Sequence, residues 1–172
     1  MTEQTSSGGS SAPGSRAEIR RLEQVYAAAH YRLQLPPGPA GAAQGGAATL
    51  ELRIGEPHAE LARQLSARGH ARITLITAHN PFSRPSGATE NARRQEQLRA
   101  TITSAGRPAW PATSGDPDGE WPEEPGFGIP DLPPAIRDHW LEKFEQNAVV
   151  ECEPPRAPEL VWHPRLRSGP GR

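Results

Sequence analysis

The chain has 172 residues, of which 19 are Lys or Arg and 20 are Asp or Glu, for a formal net charge of −1. Such a balance supplies no global field of the kind that drives nonspecific nucleic-acid or anionic-membrane binding, so neither partner is expected. The single cysteine, Cys152, excludes an intramolecular disulfide, and because Lys143 is the one lysine, the many arginines reflect composition more than a need for guanidinium chemistry. Residues 1–15 are rich in Ser, Gly and Thr without a basic start or an apolar core, and no run of about 18 apolar residues occurs. A soluble cytoplasmic protein is therefore expected, with one folded domain of about 130 to 145 residues.

In chain order, Ile19, Leu22, Tyr26 and Ala29 recur at helical spacing and predict a helix over 16–29. Tyr31, Leu33 and Leu35, then Leu50, Leu52 and Ile54, alternate with polar neighbours, which predicts an antiparallel pair of strands with one wet face. The Pro/Gly/Ala segment 36–47 between them is too poor in apolar residues to order itself. Pro57 opens the next helix, Leu61 and Leu65 mark its inner face, and Gly69 suits its end. Strand 71–78 follows, apolar to both sides and so central and buried. Strand, helix and strand together read as a βαβ crossover that lays its two strands parallel.

A helix over 88–104 is closed by Gly106, after which 107–130 reads as loose and turn-rich, without firm strands. Pro134 opens a helix with the apolar stripe Ile136, Trp140, Leu141 and Phe144. Two strands follow at 147–152, where Cys152 reads as a buried structural thiol, and at 159–163. The expected fold is α+β: a single domain over 16–163 with a mixed β-sheet, a βαβ crossover and packed helices. Its mobile loop is 36–47, and its disordered tails are 1–15 and 164–172.

The stretch 73–91 carries the most functional information, because α/β proteins build sites where a strand empties into a polar loop before a helix. On helix 88–104 the inward stripe of Leu98 and Ile102, stepped back by helical spacing, reaches Arg94 or Gln95 and then Asn91. Asn91 therefore faces inward, toward the strand end with Thr77, His79 and Asn80. Free N–H groups near Ser86, Gly87 and Ala88 would favour an anion, with Arg84 or Arg94 as clamps. The structural reading of the same residues is a helix cap, a turn at Asn80-Pro81 and an amide that satisfies backbone groups. His79 has no second histidine or cysteine at ligand spacing, so no metal site is expected. No cofactor motif of the Gly-x-Gly-x-x-Gly, Gly-Lys-Ser/Thr or Gly-x-Ser-x-Gly kind occurs either.

Several short motifs follow one another along the chain: Thr77-Ala78-x-Asn80-Pro81, Glu90-Asn91 heading a helix with Leu98, Trp121-x-x-Glu124-Pro125, and Phe144-x-Gln146-Asn147-Ala148-Val149. In this order the chain resembles, over about Glu23 to Pro164, the bacterial domain-of-unknown-function family numbered 3293. The resemblance carries no activity to transfer. It implies that Asn80, Pro81, Glu90, Asn91, Trp121, Glu124, Gln146 and Asn147 belong together. It also marks departures: His79 stands where the family has an aromatic or other residue, Glu145 where it has a glycine, and Gly126 to Pro130 where it has a serine and a longer apolar run.

Amides donate and accept at once, so this set suits reading a small polar ligand better than moving protons. The expectation is a small-molecule-binding domain with an amide-rich crevice for a nucleotide-like or anionic metabolite. Its ligand-binding residues are Thr77, Asn80, Asn91, Arg94, Trp121, Gln146 and Asn147, and Glu124 and Glu90 are weak catalytic candidates. The alternative is a non-enzymatic interaction or regulatory domain in which the same residues form a structural network. No oligomeric state follows from the residues.

Overall fold

The computed structural model describes residues 15–38, 48–119 and 122–167. Most of the expected N-terminal tail, residues 39–47 of the expected loop, 168–172 of the C-terminal tail and Trp121 lie outside these. The described elements are α1 (Arg16–Ala28), β1 (His30–Leu35), β2 (Ala48–Leu52), α2 (Ala59–Ala67), β3 (Ile73–Ile76), α3 (Ala88–Ser104), β4 (Trp110–Gly115), β5 (Glu124–Pro130), α4 (Pro134–Lys143), β6 (Ala148–Cys152), β7 (Glu159–Trp162) and α5 (Pro164–Arg167). This is an α+β fold, and α5 occupies the start of what reads in sequence as a tail.

The seven strands form one sheet in the order β2-β1-β4-β5-β3-β6-β7. Every neighbouring pair is antiparallel, which corrects the expectation of a mixed sheet. The crossover from β2 through α2 to β3 does return the chain in the same direction, as alternation along the order requires. The two strands are not neighbours, however, because β1, β4 and β5 lie between them. The stretch read as loose supplies β4 and β5, two of the three strands that fill this gap.

Alternation decides which side each residue covers. Tyr31, Leu33, Leu35, Leu50, Leu52, Ile73, Leu75, Trp110, Val150 and Cys152 form one buried layer with Leu61 and Leu65 of α2. Burial pushes the Cys152 thiol up to about 12, so it is an inert core group. Ile76, Phe127, Ile129 and Val149 form the opposite layer with Leu98 and Ile102 of α3 and Trp140 and Leu141 of α4. All four residues of β3 are buried, as its place between β5 and β6 demands. On the β1/β2 hairpin, Gln34, Thr49 and Glu51 are exposed, the wet face expected from alternation.

Three helices end by the same device. In α2, α3 and α4 the last turn closes with a 6→1 and a 5→2 bond: His70 N to Leu65 O and Gly69 N to Ser66 O, Arg107 N to Ile102 O and Gly106 N to Thr103 O, Gln146 N to Leu141 O and Glu145 N to Glu142 O. This closure needs a left-handed residue. Gly69 and Gly106 supply it at φ 74 and 65, and Glu145 supplies it at φ 53.

Candidate functional site

The chain leaves β3 through Thr77 and Ala78 into a loop whose backbone is left-handed at three residues, Asn80 (φ 45), Phe82 (φ 50) and Ser83 (φ 58). Each costs on the order of 1–3 kcal/mol and persists only where the surroundings fix it. Asn80 tolerates this region better than most residues, and Pro81 bars it from the right-handed helical alternative. Around it the fixing groups are side-chain amides. Asn91, 8 % exposed on the first turn of α3, accepts from the Asn80 backbone N–H at 2.9 Å, and its Nδ2 donates to Asn80 Oδ1 at 3.0 Å and to the Ser86 carbonyl at 3.2 Å. Asn80 Oδ1 also accepts from the Ser86 N–H at 2.9 Å, and Asn80 Nδ2 donates to Glu124 Oε1 at 2.5 Å. The inward phasing of Asn91 toward Asn80 is thus a direct hydrogen-bonded contact.

The next turn of α3 reaches the same strand end. Gln95 accepts from the Ala78 N–H at 3.1 Å. Arg94 donates to the carbonyls of Ala78 at 3.0 Å and Phe144 at 2.6 Å, and lies 3.3 Å from the Glu145 carboxylate. A guanidinium so committed is no clamp for an anion at Gly87. The Thr77 hydroxyl donates to the Pro125 carbonyl at 2.8 Å. From the end of α4, Gln146 Nε2 donates to the carbonyls of His79 and Phe144 at 3.0 and 3.1 Å. Glu90 stays apart: it pairs with Arg93 on the outer face of α3, and that hydrogen bond lowers its carboxyl below the usual range.

A second cluster pins the far side of the loop. Asn147, 2 % exposed, donates through Nδ2 to Ser83 Oγ at 3.0 Å and to the Tyr26 hydroxyl at 3.2 Å, while Tyr26 and Ser83 are themselves 2.5 Å apart. The Phe82 N–H donates to Glu145 O at 2.6 Å, and the Phe82 ring meets His163 edge-on at 5.7 Å. Tyr26 also stacks on Trp162 at 5.9 Å, which docks α1. Burial raises the Tyr26 phenol, so it is neutral and no base. Helical spacing marks Tyr26 as a core residue only, and nothing in the sequence links it to Ser83, 57 positions away.

Two groups stand at the edge of this network. Ladder registers place Tyr31 opposite Ser114 and Ser114 opposite Glu124, so the partly exposed Glu124 stands in a cross-sheet row at the rim. Its one donor among the described residues is Asn80. The partly exposed His79 ring has no hydrogen-bond partner among them, and burial, offset in part by Glu124, keeps its pKa below the ordinary value and the ring neutral. No group of three or more His, Cys, Asp or Glu among the described residues would hold a metal ion. No described helix is long and apolar enough to cross a membrane.

Fold and site together define an antiparallel α+β domain whose strand-to-helix loop is clamped by side-chain amides from α3 and from the turn between α4 and β6. Residues 76–149 match the model of the family described as a protein of unknown function (DUF3293), which assigns this segment to that family. Asn80, Glu90, Asn91, Arg94, Trp121, Glu124, Gln146 and Asn147 all fall inside the matched segment, whereas Tyr26 falls outside it. No curated protein and no solved structure matches the chain.

Proposed function

We propose that the protein is a non-enzymatic interaction or regulatory domain in which the amide set is a structural brace. The observation that carries this reading is that both polar atoms of the Asn80 and Asn91 side chains are bonded within the protein. Asn80 Oδ1 and Asn91 Nδ2 are filled by two bonds each, and Asn80 Nδ2 and Asn91 Oδ1 each hold one protein partner already, so these amides are spent mainly on the protein itself. The brace holds a left-handed loop in one shape at the rim of the sheet, where a partner meets it preorganised.

The test is a thermal-shift screen with nucleotides, sugar phosphates and carboxylates on the wild type and Asn91→Ala. No saturable shift is expected from these anions, and Asn91→Ala is expected to lose about 2–3 kcal/mol of stability, since it strands the Asn80 N–H and Ser86 carbonyl. A ligand at about 100 times its dissociation constant would add roughly 2.7 kcal/mol. Such a shift in the wild type, lost in a folded Asn91→Ala, would restore the metabolite site.

A second reading rests on the rim pair. Glu124 and the neutral His79 offer acceptors and no fixed positive charge, so a small ligand there would be one that donates hydrogen bonds or carries a cation, in contrast to the anionic metabolite expected from sequence. Amines added to the same screen test it. A shift that disappears in Glu124→Gln supports this reading, and an unchanged melting curve removes it.

A further inference from the structure

At the opposite end of β3 from the braced loop, the chain enters the strand through His70, Ala71 and Arg72, and Asp131 follows β5 across the ladder. Asp131 is left-handed (φ 46), its N–H donates to Arg72 O at 3.0 Å, and its carbonyl accepts from Arg107 at 3.2 Å. The carboxylate is fixed by three donors: the N–H groups of Ala71 at 3.0 Å and Arg72 at 3.2 Å on Oδ1, and His70 Nδ1 at 2.7 Å on Oδ2. Burial alone would raise this carboxyl; the His70 and backbone hydrogen bonds outweigh it and hold it below the usual range, so it is a carboxylate at neutral pH.

An acceptor at Nδ1 fixes both the ring's orientation and its tautomer. In the neutral ring the proton lies on Nδ1, against the carboxylate, and the lone pair on Nε2. That atom makes no hydrogen bond to any described residue and is not among the buried atoms left without a partner. Behind the ring, Trp110 meets it edge-on at 5.6 Å and prevents it from turning away. His70 also lines a cleft of about 360 Å³ with Ala62, Leu65, Ser66, Ala71, Pro154 and Pro155. Its other walls are thus mainly apolar.

We infer that this cleft is a second site, taking a small, largely apolar ligand that carries one hydrogen-bond donor, with phenol as the simplest member of the class. The volume admits a single ring with substituents, since a cavity of about 150 Å³ already holds benzene. The proline and aliphatic walls of this open cleft cover one side of the ring, and the oriented Nε2 accepts from the hydroxyl. A mainly apolar pocket with a few placed polar groups, here His70 and Ser66, is the usual design of a small-molecule site. Nothing in the amide network takes part, so the inference stands apart from the function proposed for the other end of the strand.

Phenol and anisole separate the two contributions, because the methyl cap of anisole keeps the ring and the oxygen but removes the donor. Each is titrated into the wild-type protein while the histidine-ring and indole resonances are followed by NMR, with His70→Phe identifying the His70 signals. Phenol is expected to saturate with shifts at His70 and Trp110, and anisole to bind about tenfold more weakly, the loss of one hydrogen bond. In His70→Phe the preference for phenol should vanish. Equal binding of phenol and anisole to the wild type, shifts confined to other residues, or no saturation by phenol up to its solubility limit would each overturn the site. The wild-type comparison decides the matter even if His70→Phe does not fold.

Discussion

Glu145 shows how a single residue records the demands of a fold. It closes α4 in the left-handed conformation, where the resemblance expects glycine, and there its carbonyl receives the Phe82 N–H and its carboxylate faces Arg94. Glu145→Gly would relieve the Cβ strain while losing that ion pair and adding unfolded-chain entropy. We expect stability to be unchanged or raised by up to about 1 kcal/mol in urea denaturation. A loss of more than about 1 kcal/mol would show that the Arg94 contact outweighs the strain. Buried histidine gives a second prediction at this scale. His163, 2 % exposed, accepts from the Arg165 N–H, and burial lowers its pKa from 6.5, as burial also does for His79. The unfolded chain therefore binds protons first, so stability present above pH 6.5 is lost as pH falls below it. The depressed carboxyls of Asp131 and Asp138 act in the same direction but only from about 3.8 downward. Unfolding free energy should be lower at pH 5.0 than at 7.5, and the difference should shrink in His163→Gln; a flat profile would contradict the neutral buried imidazole.

Among the elements, β5 is the least legible in sequence and the most informative in space. Pro125, Gly126, Gly128 and Pro130 argue against an interior strand, because proline withholds a ladder donor and glycine weakens a strand. The glycines are there for close approach. A Cβ at Gly126 would stand 2.7 Å from the Ile76 carbonyl oxygen, whereas at Gly128 it would meet the ends of the Leu33 and Ile73 side chains at 2.5 and 2.9 Å. Side-chain ends can rotate and a ladder carbonyl cannot, so Gly126→Ala should destabilise more than Gly128→Ala, within the range of about 1–3 kcal/mol typical of overpacking. The reverse order in denaturant melts would contradict the close packing of β3 on β5. The same strand explains why the expected crossover was right in direction but wrong in adjacency. Periodicity along a strand tells which face is buried, but the slot between two strands is filled by partners distant in sequence.

For the molecule as a whole, local periodicity reveals the helices, the β1/β2 hairpin and the buried β3, because each bears its pattern within a few residues. Asn91 was legible for the same reason, through its phase with Leu98. Tyr26, His70 and Asp131 were not, since their partners are brought to them only by the strand order. What the assembled molecule adds is that the amides expected to face a ligand bond the protein itself, Asn80 and Asn91 to each other and Gln146 and Asn147 to carbonyls and hydroxyls around the loop, and the central claim is that they hold the loop in one shape. Native-state hydrogen exchange at the Asn80 and Ser86 N–H groups reads this directly, as both donate to side-chain oxygens of the brace. Both amides should exchange at least about a thousandfold more slowly than an open loop, and both should lose that protection in Asn91→Ala. Exchange at open-loop rates in the wild type would contradict the brace.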